Sequence, residues 1–487
     1  MPKLVLVNPM RQGPLNLRAN IRTNLPPLNL AYVAAYTPER WEIEIIDENV
    51  DEFRLAPADL VGVTAFTMNA PRAYEIAAQY RQQGVPVVLG GIHASMVPDE
   101  ALEYCDSVVV GEAEPVWESV CRDFESGQLA RRYLGGHADL RGLRHPRRDL
   151  LSDKYWRGTI QTARGCPFDC EFCSVTAFNG RRYRQRPVNE VLDELATIHN
   201  KSLMFIDDNI SGYGKASRER AMALFQGMVE RRLRRPWSAQ ASINISEDDD
   251  CLRLAKRSGC MSILVGFESL NEETLLHMGK RHQRKDVADG YARAIDAIHR
   301  ARIGIFGTII LGHDSDDFAV AVRTCDFMLN SGIDVGVCAL LTPLPGTRLY
   351  ARLAAERRIV KNNYPADWAL YDLISEVVFQ PKLLTMKELK ECQVYIYDRL
   401  LRGSQIRRAT LRTLVRTRSL LATLVANRLN HAFRRSHLLR RPLREALGIE
   451  PSLVLRRGLA ETAQRAPSAE ASGGASWART EAAEFSE

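Results

Sequence analysis

Three cysteines lie within one short segment of the chain, Cys166-Pro-Phe-Asp-Cys170-Glu-Phe-Cys173. Thiolates at this C-x3-C-x2-C spacing can bind one face of a cuboidal iron–sulfur cluster, which usually takes four cysteine ligands. The next cysteine is Cys251, so one iron would keep an open coordination position. Such an iron can bind a substrate directly, as a catalytic zinc with three protein ligands keeps a position for water. The alternative is a structural zinc site, but such sites normally need four protein ligands.

The cysteine spacing, with the aromatic Phe172 just before the last cysteine, resembles the radical S-adenosylmethionine enzymes. The resemblance implies a [4Fe–4S] cluster on Cys166, Cys170 and Cys173, whose open iron binds the amino and carboxylate groups of S-adenosylmethionine. It further implies that an electron donor such as flavodoxin or ferredoxin drives cleavage of that molecule to a 5′-deoxyadenosyl radical. This radical takes hydrogen from an unactivated C–H bond.

Polar residues follow the cysteine segment in an order that this family shares. Asp207-Asp208-Asn209 stands where the family often has a Gly-Gly-Glu run that contacts the methionine amino group. Gln240, Ser242 and Asn244 are every second residue, so on one strand they would share a face. Polar side chains on such a face need a ligand or buried water as hydrogen-bond partners. The alternative for each residue is a capping or turn role. The resemblance and this alternation together predict S-adenosylmethionine contacts at Asp207, Asp208, Asn209, Gln240, Ser242, Glu268, Ile309 and Gly312.

Six strand–helix units from residue 159 to 350 must position these residues. Their apolar runs predict strands at 160–163, 203–206, 238–244, 262–267, 305–311 and 335–340. This number of units matches the partial (β/α)6 barrel of the superfamily. Active sites of such barrels lie at the carboxyl ends of the strands.

An earlier strand–helix alternation covers residues 1–135. Strands are predicted at 4–7, 43–46, 60–64, 85–89 and 107–110, with helices at 28–36, 70–82 and 98–104. This pattern predicts a doubly wound parallel sheet, which binds ligands at the carboxyl ends of its strands.

The segments Gly90-Gly91-Ile92-His93-Ala94-Ser95 and Val109-Val110-Gly111-Glu112-Ala113-Glu114 resemble the cobalamin-binding domains that are fused to radical S-adenosylmethionine cores. The resemblance implies that Thr64, Gly90 and Gly91 line the slot for the cobalamin nucleotide tail. The D-x-H-x-x-G pattern, whose histidine binds cobalt from below, is absent because no histidine precedes His93. We therefore expect cobalamin without a histidine under the cobalt, and His93 as a polar loop residue. The alternative is a relic domain without cobalamin that packs on the barrel.

Residues 367–382 resemble a C-terminal module of cobalamin-dependent radical enzymes that include hopanoid C-2 methylases. The resemblance implies an enzyme that methylates an unactivated carbon of a small-molecule or lipid substrate. A cyclase or rearrangement enzyme that transfers no methyl group is the main alternative. An RNA methylthiotransferase would need three further cysteines in the first domain, whereas only Cys105 and Cys121 precede the cluster segment. A non-enzymatic cobalamin or redox sensor is a third alternative.

Composition limits the remaining possibilities. The chain has 487 residues and ten cysteines, with 26% charged and 45% hydrophobic residues, which suits two or three globular domains in a reducing compartment. Its first residues become polar too quickly for a secretory signal, and no apolar run approaches ~20 residues, so we expect a cytoplasmic protein.

The positive charge is concentrated near the carboxyl end. Residues 402–457 contain 14 Arg and two acids, a net charge of +12, which leaves −5 for the rest of a chain whose total is +7. Nucleic-acid binding by the catalytic body is therefore not expected. We predict a linker at 136–158, a C-terminal module at 351–400, a basic helical segment at 401–462 and a disordered tail at 463–487. The amphipathic helix of the basic segment either packs on the barrel, which we favour, or lies on the inner face of the membrane.

Overall fold

A computed structural model describes residues 1–10, 25–278 and 287–465. Most of the predicted disordered tail, from residue 466 onward, lies outside the described residues.

The first domain contains a six-stranded parallel sheet in the order β2-β1-β3-β4-β5-β6. Its strands are β1 (Lys3–Asn8), β2 (Glu42–Asp47), β3 (Leu60–Thr64), β4 (Val87–Gly90), β5 (Ser107–Gly111) and β6 (Arg132–Gly136). Its helices are α1 (Leu28–Ala35), α2 (Ala70–Gln82), α3 (Gly91–Met96), α4 (Pro98–Tyr104) and α5 (Trp117–Glu125).

Side chains alternate between two apolar layers of this sheet, because successive residues of a strand point to opposite faces. Val5 and Val7 of β1 belong to one buried cluster, while Leu4 and Leu6 belong to the other. The doubly wound parallel sheet is thereby confirmed. Strand β6 and helices α3 and α5 go beyond the predicted elements, and β6 crosses the predicted boundary at residue 135.

The second domain contains six parallel strands in the order β14-β13-β12-β11-β10-β7, each next to its neighbour in the chain. They are β7 (Arg157–Ile160), β10 (Ser202–Phe205), β11 (Trp237–Ala241), β12 (Cys260–Glu268), β13 (Gly304–Leu311) and β14 (Val335–Leu340). The sheet order has β7 and β14 at its two edges, so the six strands form the predicted partial barrel.

A short antiparallel pair, β8 (Ala163–Arg164) and β9 (Arg184–Gln185), flanks the cysteine segment. The predicted single strand 160–163 is therefore wrong, since the chain leaves the barrel after Ile160. The helices of this domain are α6 (Ser174–Asn179), α7 (Val188–Thr197), α8 (Lys215–Glu230), α9 (Asp249–Ser258), α10 (Glu272–His277), α11 (Val287–Arg300), α12 (Phe318–Asn330) and α13 (Arg348–Ala355).

Five helices follow: α14 (Met386–Leu400), α15 (Gly403–Thr417), α16 (Leu420–Leu439), α17 (Arg441–Ala446) and α18 (Ser452–Arg465). The helix predicted over the basic segment is interrupted, because Arg418 adopts a left-handed conformation with φ of +49° that ends α15. Helices α15 and α16 form a hairpin whose inner residues pack against the barrel. The α/β fold class with a helical C-terminal extension is confirmed.

Candidate functional site

The cysteine segment is a loop between β8 and α6. The Cys173 amide donates a hydrogen bond to the Cys170 carbonyl (3.1 Å), and the three thiols are half-buried, whereas the other seven cysteines are buried. Burial raises the pKa of the Cys173 thiol, while the backbone N–H groups of Thr176 and Val175 in the first turn of α6 oppose that shift. The loop thus contains three half-buried cysteines, one of which has two N–H groups that stabilise a thiolate.

Among the described residues, no three His, Cys, Asp or Glu side chains are arranged to share a single metal ion. A cuboidal cluster has a different requirement, because each thiolate binds its own iron. The number, the accessibility and the chemistry of the three cysteines fit such a cluster.

Asp207 connects the barrel to the cysteine loop. Its carboxylate accepts hydrogen bonds from the amides of Thr162 (2.5 Å) and Ala163 (3.2 Å) and from the Thr162 hydroxyl (2.5 Å). It is only 1% exposed, and burial raises its pKa to about 6 against the opposing effect of these donors. Its oxygens are engaged within the chain, so the geometry gives Asp207 the role of holding the strand that leads to the cysteines.

Asp208 holds the other side of the same loop. One carboxylate oxygen accepts from the Gly165 amide (2.8 Å) and from the Asn179 side chain (3.0 Å). Burial raises the pKa of Asp208, and the Gly165 and Asn179 donors oppose the shift. Unlike Asp207, its side chain lines a large cavity.

Asn209 and Ser242 join the ends of β10 and β11. The Asn209 side-chain nitrogen donates to the Ser242 hydroxyl (3.0 Å), and the Ser242 backbone amide donates to the Asn209 side-chain oxygen (3.2 Å). Strand β11 ends at Ala241, so Gln240, Ser242 and Asn244 do not follow one another along a strand. The expectation that they share one strand face is wrong, because the chain turns into a 3-10 helix at Ile243–Glu247.

The predicted residues further along the barrel lie at or near strand ends. Glu268, the last residue of β12, has a left-handed backbone with φ of +64°, and a Cβ added at Gly266 would lie 2.3 Å from its carboxylate. Ile309 is completely buried within β13, and Gly312 follows that strand and donates its amide to Asp316 (2.9 Å). The left-handed backbone directs Glu268 back over its own strand end.

A cavity of about 730 Å³ lies between the two domains. On the first-domain side it is bounded by the carboxyl ends of β1, β3, β4 and β5. On the barrel side it reaches the residues that hold and follow the cysteine loop. Residues of both sides that line it include Asn8, Asn29, Thr64, Gly90, Gly91, Glu112, Glu114, Arg164, Ser174, Phe178, Asp208 and Tyr371. The three residues predicted for the cobalamin slot therefore face the same space as Asp208.

Gly91 is required at the first-domain wall of this cavity. Its φ is +89°, and a Cβ added there would lie 2.8 Å from both the Ala65 carbonyl oxygen and the Thr64 hydroxyl. The Thr64 hydroxyl accepts a hydrogen bond from Asn29 (2.8 Å), a residue that the sequence patterns do not identify. A glycine here keeps the cavity wall free of side-chain atoms.

Charged residues join the end of β5 to both strands that flank the cysteine loop. Arg164 of β8 pairs with Glu112 (2.8 Å) and Glu114 (2.5 Å), and Arg184 of β9 binds Glu112 with both terminal nitrogens. Burial raises the pKa of Glu112, but Arg184 and Arg164 outweigh it, so the net shift is downward. Only Glu112 and Glu114 stand out in the sequence. Their arginine partners lie at least 50 residues away and carry no motif.

His93 lies in α3 and is fully buried, so the expectation of a polar loop histidine is wrong. Its ring contacts the Tyr74 hydroxyl (3.1 Å) and lies 3.5 Å from Glu100, which also accepts from the Trp368 indole (2.9 Å). Burial raises the pKa of Glu100, but donors from His93, Trp368 and Tyr74 lower it further than burial raises it. This group links the first domain to the segment after the barrel, and His93 itself does not line the cavity.

Comparisons with known proteins match both halves of the chain. The model of the B12 binding domain matches residues 15–120, and the model of the Radical SAM superfamily matches residues 160–346. The chain is 31% identical over 400 residues to bacteriochlorophyllide d C-12(1)-methyltransferase of Chlorobaculum tepidum. The matched residues cover 78% of this chain and 83% of that protein. It is 28% identical over 367 residues to hopanoid C-2 methylase of Rhodopseudomonas palustris, covering 71% and 68% respectively.

Among solved structures, the cobalamin-dependent S-adenosylmethionine radical enzyme OxsB, with aqua-cobalamin and S-adenosylmethionine bound, superposes with a TM-score of 0.66. The superposition covers 95% of this chain and 84% of that chain at 13% sequence identity. This similarity concerns the fold, from the first sheet through the C-terminal helices.

Proposed function

We propose that this chain, which belongs to the cobalamin-dependent radical S-adenosylmethionine methyltransferases, methylates an unactivated carbon of an apolar small molecule or lipid. The family and its cofactors, a [4Fe–4S] cluster, S-adenosylmethionine and cobalamin, agree with the sequence predictions. The observation that carries the proposal is the single cavity bounded by Thr64, Gly90 and Gly91 on one side and Asp208 on the other. A methyl donor and a radical source must both reach one substrate carbon, and one shared cavity permits this.

When bound, the cofactors supply the electron, the hydrogen-abstracting radical and the methyl group, while the protein supplies binding and orientation. Cys166, Cys170 and Cys173 would hold the cluster. Asp207 holds the strand before their loop through the amides of Thr162 and Ala163. Asp208 joins the Gly165 amide, just before the loop, to the Asn179 side chain at the end of the helix that follows it.

The proposed S-adenosylmethionine site lies along the strand ends next to this loop. Asp208 has a cavity-facing carboxylate that can accept from an ammonium group, and Glu268 is a second acceptor at the end of β12. Asn209, Gln240 and Ser242 would complete the polar side. The contacts to the adenine at Ile309 and Gly312 would come from the backbone. The Ile309 side chain is completely buried and is therefore not available to a ligand. In this arrangement Asp207 positions the loop.

On the opposite wall, Thr64, Gly90 and Gly91 would receive the cobalamin nucleotide tail. The absence of a Cβ at Gly91 permits close approach of a ligand to the backbone. No histidine precedes His93 in the sequence, and His93 is engaged with Tyr74 and Glu100, so this domain would hold cobalamin without a histidine ligand.

An apolar substrate suits the remaining lining of the cavity. Phe66, Phe178, Leu344, Tyr371 and Leu373 all contribute to it. Such a lining excludes water and binds apolar surface by the hydrophobic effect, at roughly 25 cal/mol per Å² buried. A one-electron donor such as flavodoxin or ferredoxin would deliver reducing equivalents.

The test uses anaerobically reconstituted full-length protein, a reductant, cobalamin and S-adenosylmethionine with a trideuterated methyl group. Cell extracts that contain candidate substrates are incubated with it and analysed by accurate mass. We expect a compound that gains one trideuterated methyl group, and no such compound with C166A. The matched control C105A, at a buried cysteine outside the loop, should retain the activity. Formation of 5′-deoxyadenosine together with an unlabelled product that has lost hydrogen would instead show an oxidative cyclase, and an unlabelled product of unchanged mass would show a rearrangement enzyme.

A further inference from the structure

The hairpin of α15 and α16 exposes an apolar patch at its closed end. Leu411 and Val415 lie one turn apart near the end of α15, and Leu420 and Leu424 lie one turn apart at the start of α16. Their exposed fractions are 63%, 66%, 72% and 59%. Residues four apart on a helix share a face, so the two pairs form neighbouring stripes beside the turn at Arg418. We call these four residues the hairpin tip.

The hairpin tip faces outward because other residues of α15 and α16 pack against the protein. Thr413 is buried and donates its hydroxyl to Asp334 (2.6 Å), and Asn430 donates its side chain to the Asp334 carbonyl (2.9 Å). Ala422, Thr423 and Ala426 are buried as well. Beside the turn, small and hydrogen-bonded residues thus face the protein, whereas the four aliphatic residues of the hairpin tip face outward. A group of exposed large apolar side chains at one end of a helical hairpin suits an interaction surface.

Arginines border the hairpin tip. Arg407 precedes Leu411 by one turn on the same face, Arg428 follows Leu424 by one turn, and Arg418 forms the connection. No ion pair joins these three arginines to any of the described residues, whereas Arg416 on the inner side pairs with Asp296 (3.1 Å). There is no acidic residue between residues 399 and 444. The tip therefore combines aliphatic side chains with uncompensated positive charge.

We propose that the hairpin tip docks this enzyme on the surface of a membrane that contains anionic phospholipids. Aliphatic side chains that insert at the headgroup level, with arginines beside them on the phosphates, are the features of an interfacial helix site. Among the residues that the structure describes, no helix is both long and apolar enough to cross a bilayer, so the contact is peripheral. The site goes beyond the proposed function, since methyl transfer needs no membrane.

Two other occupants fit the surface less well. A second copy of the chain that docked through the same patch about a two-fold axis would place arginines against arginines. A nucleic acid would neutralise the arginines through its phosphates but would leave the four aliphatic side chains without apolar contacts. An anionic bilayer satisfies both the charge and the apolar surface.

Vesicle flotation with the full-length protein tests the proposal. One vesicle set contains phosphatidylcholine alone and the other contains phosphatidylcholine with phosphatidylglycerol. We expect flotation with the anionic set, little with the neutral set, and weaker binding as the salt concentration rises. L420Q/L424Q should weaken binding by about tenfold or more through lost apolar burial. R418Q/R428Q should weaken binding by about fivefold for each arginine.

The matched control is L134Q, because Leu134 is 74% exposed on β6, remote from the hairpin in the fold. It should bind anionic vesicles like the unaltered chain. Equal flotation of L420Q/L424Q and L134Q would overturn the proposal, as would absence of flotation in the unaltered chain. Two further results would also overturn it: a leucine-dependent dimer in sedimentation without vesicle binding, or arginine-dependent binding to duplex DNA that leucine substitution leaves intact. Iron content and melting temperature, measured on each variant, show that the fold is retained.

Discussion

The ion pair between Glu112 and Arg184 gives a quantitative test of how the two domains are joined. Glu112 follows β5 of the first domain, and Arg184 belongs to β9 beside the cysteine loop. Their side chains are only 3% and 12% exposed. Breaking a buried pair by removing one partner typically costs about 3–5 kcal/mol, because it leaves the other charge uncompensated. We therefore predict a coupling energy of about 3 kcal/mol between the two side chains.

A double-mutant cycle with E112Q, R184Q and the double variant measures this coupling by urea unfolding under anaerobic conditions. The matched control is the pair Glu118–Arg144, of the same chemistry but 51% exposed on both sides, for which about 0.5 kcal/mol is expected. E112Q should also lower the yield of methylated product per S-adenosylmethionine cleaved, because the two cofactor sites are then held together less firmly, by the Arg164–Glu114 pair without the Glu112 charge. A coupling below 1 kcal/mol, or one equal to that of the control pair, would refute the reasoning.

Three further predictions concern the loop and the cavity wall. The D207A variant should lose most of the bound iron, because the amides of Thr162 and Ala163 then have no hydrogen-bond acceptor. Each buried amide left without a partner costs about 1–3 kcal/mol. D207N keeps an acceptor oxygen and should retain most of the iron in a colorimetric assay. The pKa of Asp207 rises from its ordinary 3.8 to about 6 on folding, so the folded chain keeps a proton that the unfolded chain loses. Stability against urea should therefore fall between about pH 4 and pH 6 in the unaltered chain, and D207N should lack this decline. G91A should weaken cobalamin binding by at least about tenfold in equilibrium dialysis, whereas G84A, with a similar φ of +74° but no atom within 4 Å, should not.

Much of the architecture is encoded locally and could be predicted. Runs such as Leu60–Thr64 and Val335–Leu340 are strands with the predicted bounds. Their buried apolar side chains and the regular alternation with helices are visible in the sequence. The cysteine spacing and the segments that begin at Gly90 and Val109 are equally local, and the family resemblance that they carry implied the cofactor classes.

Features that depend on distant partners could not be predicted. The burial of His93 depends on Tyr74, 19 residues away, and on Glu100, whose other partner Trp368 lies 268 residues from it in the chain. The partners of Asp207 lie about 45 residues earlier, so its role in holding the loop has no sequence signal.

The C-terminal hairpin shows a second limit of sequence patterns. Helical periodicity identifies an apolar stripe, but it does not show which face of the helix packs against the rest of the protein. We favoured packing on the barrel, and the hairpin does pack there. Ile406 and Phe433 pack against the protein as the stripe predicts. Near the turn, however, the hairpin packs through Thr413, Ala422 and Asn430, while Leu411 and Leu424 face outward. Threonine and asparagine become suitable for burial only where a partner such as Asp334 satisfies their hydrogen bonds.

The most direct test of the central claim is electron paramagnetic resonance of the reduced, anaerobically reconstituted protein before and after addition of S-adenosylmethionine. Three cysteine ligands leave one iron open, so we predict a cluster signal that changes when S-adenosylmethionine binds, together with formation of 5′-deoxyadenosine. C166S, C170S and C173S should each lose both, while C105A keeps them. A signal that S-adenosylmethionine leaves unchanged, or full turnover in any of the three serine variants, would contradict the account.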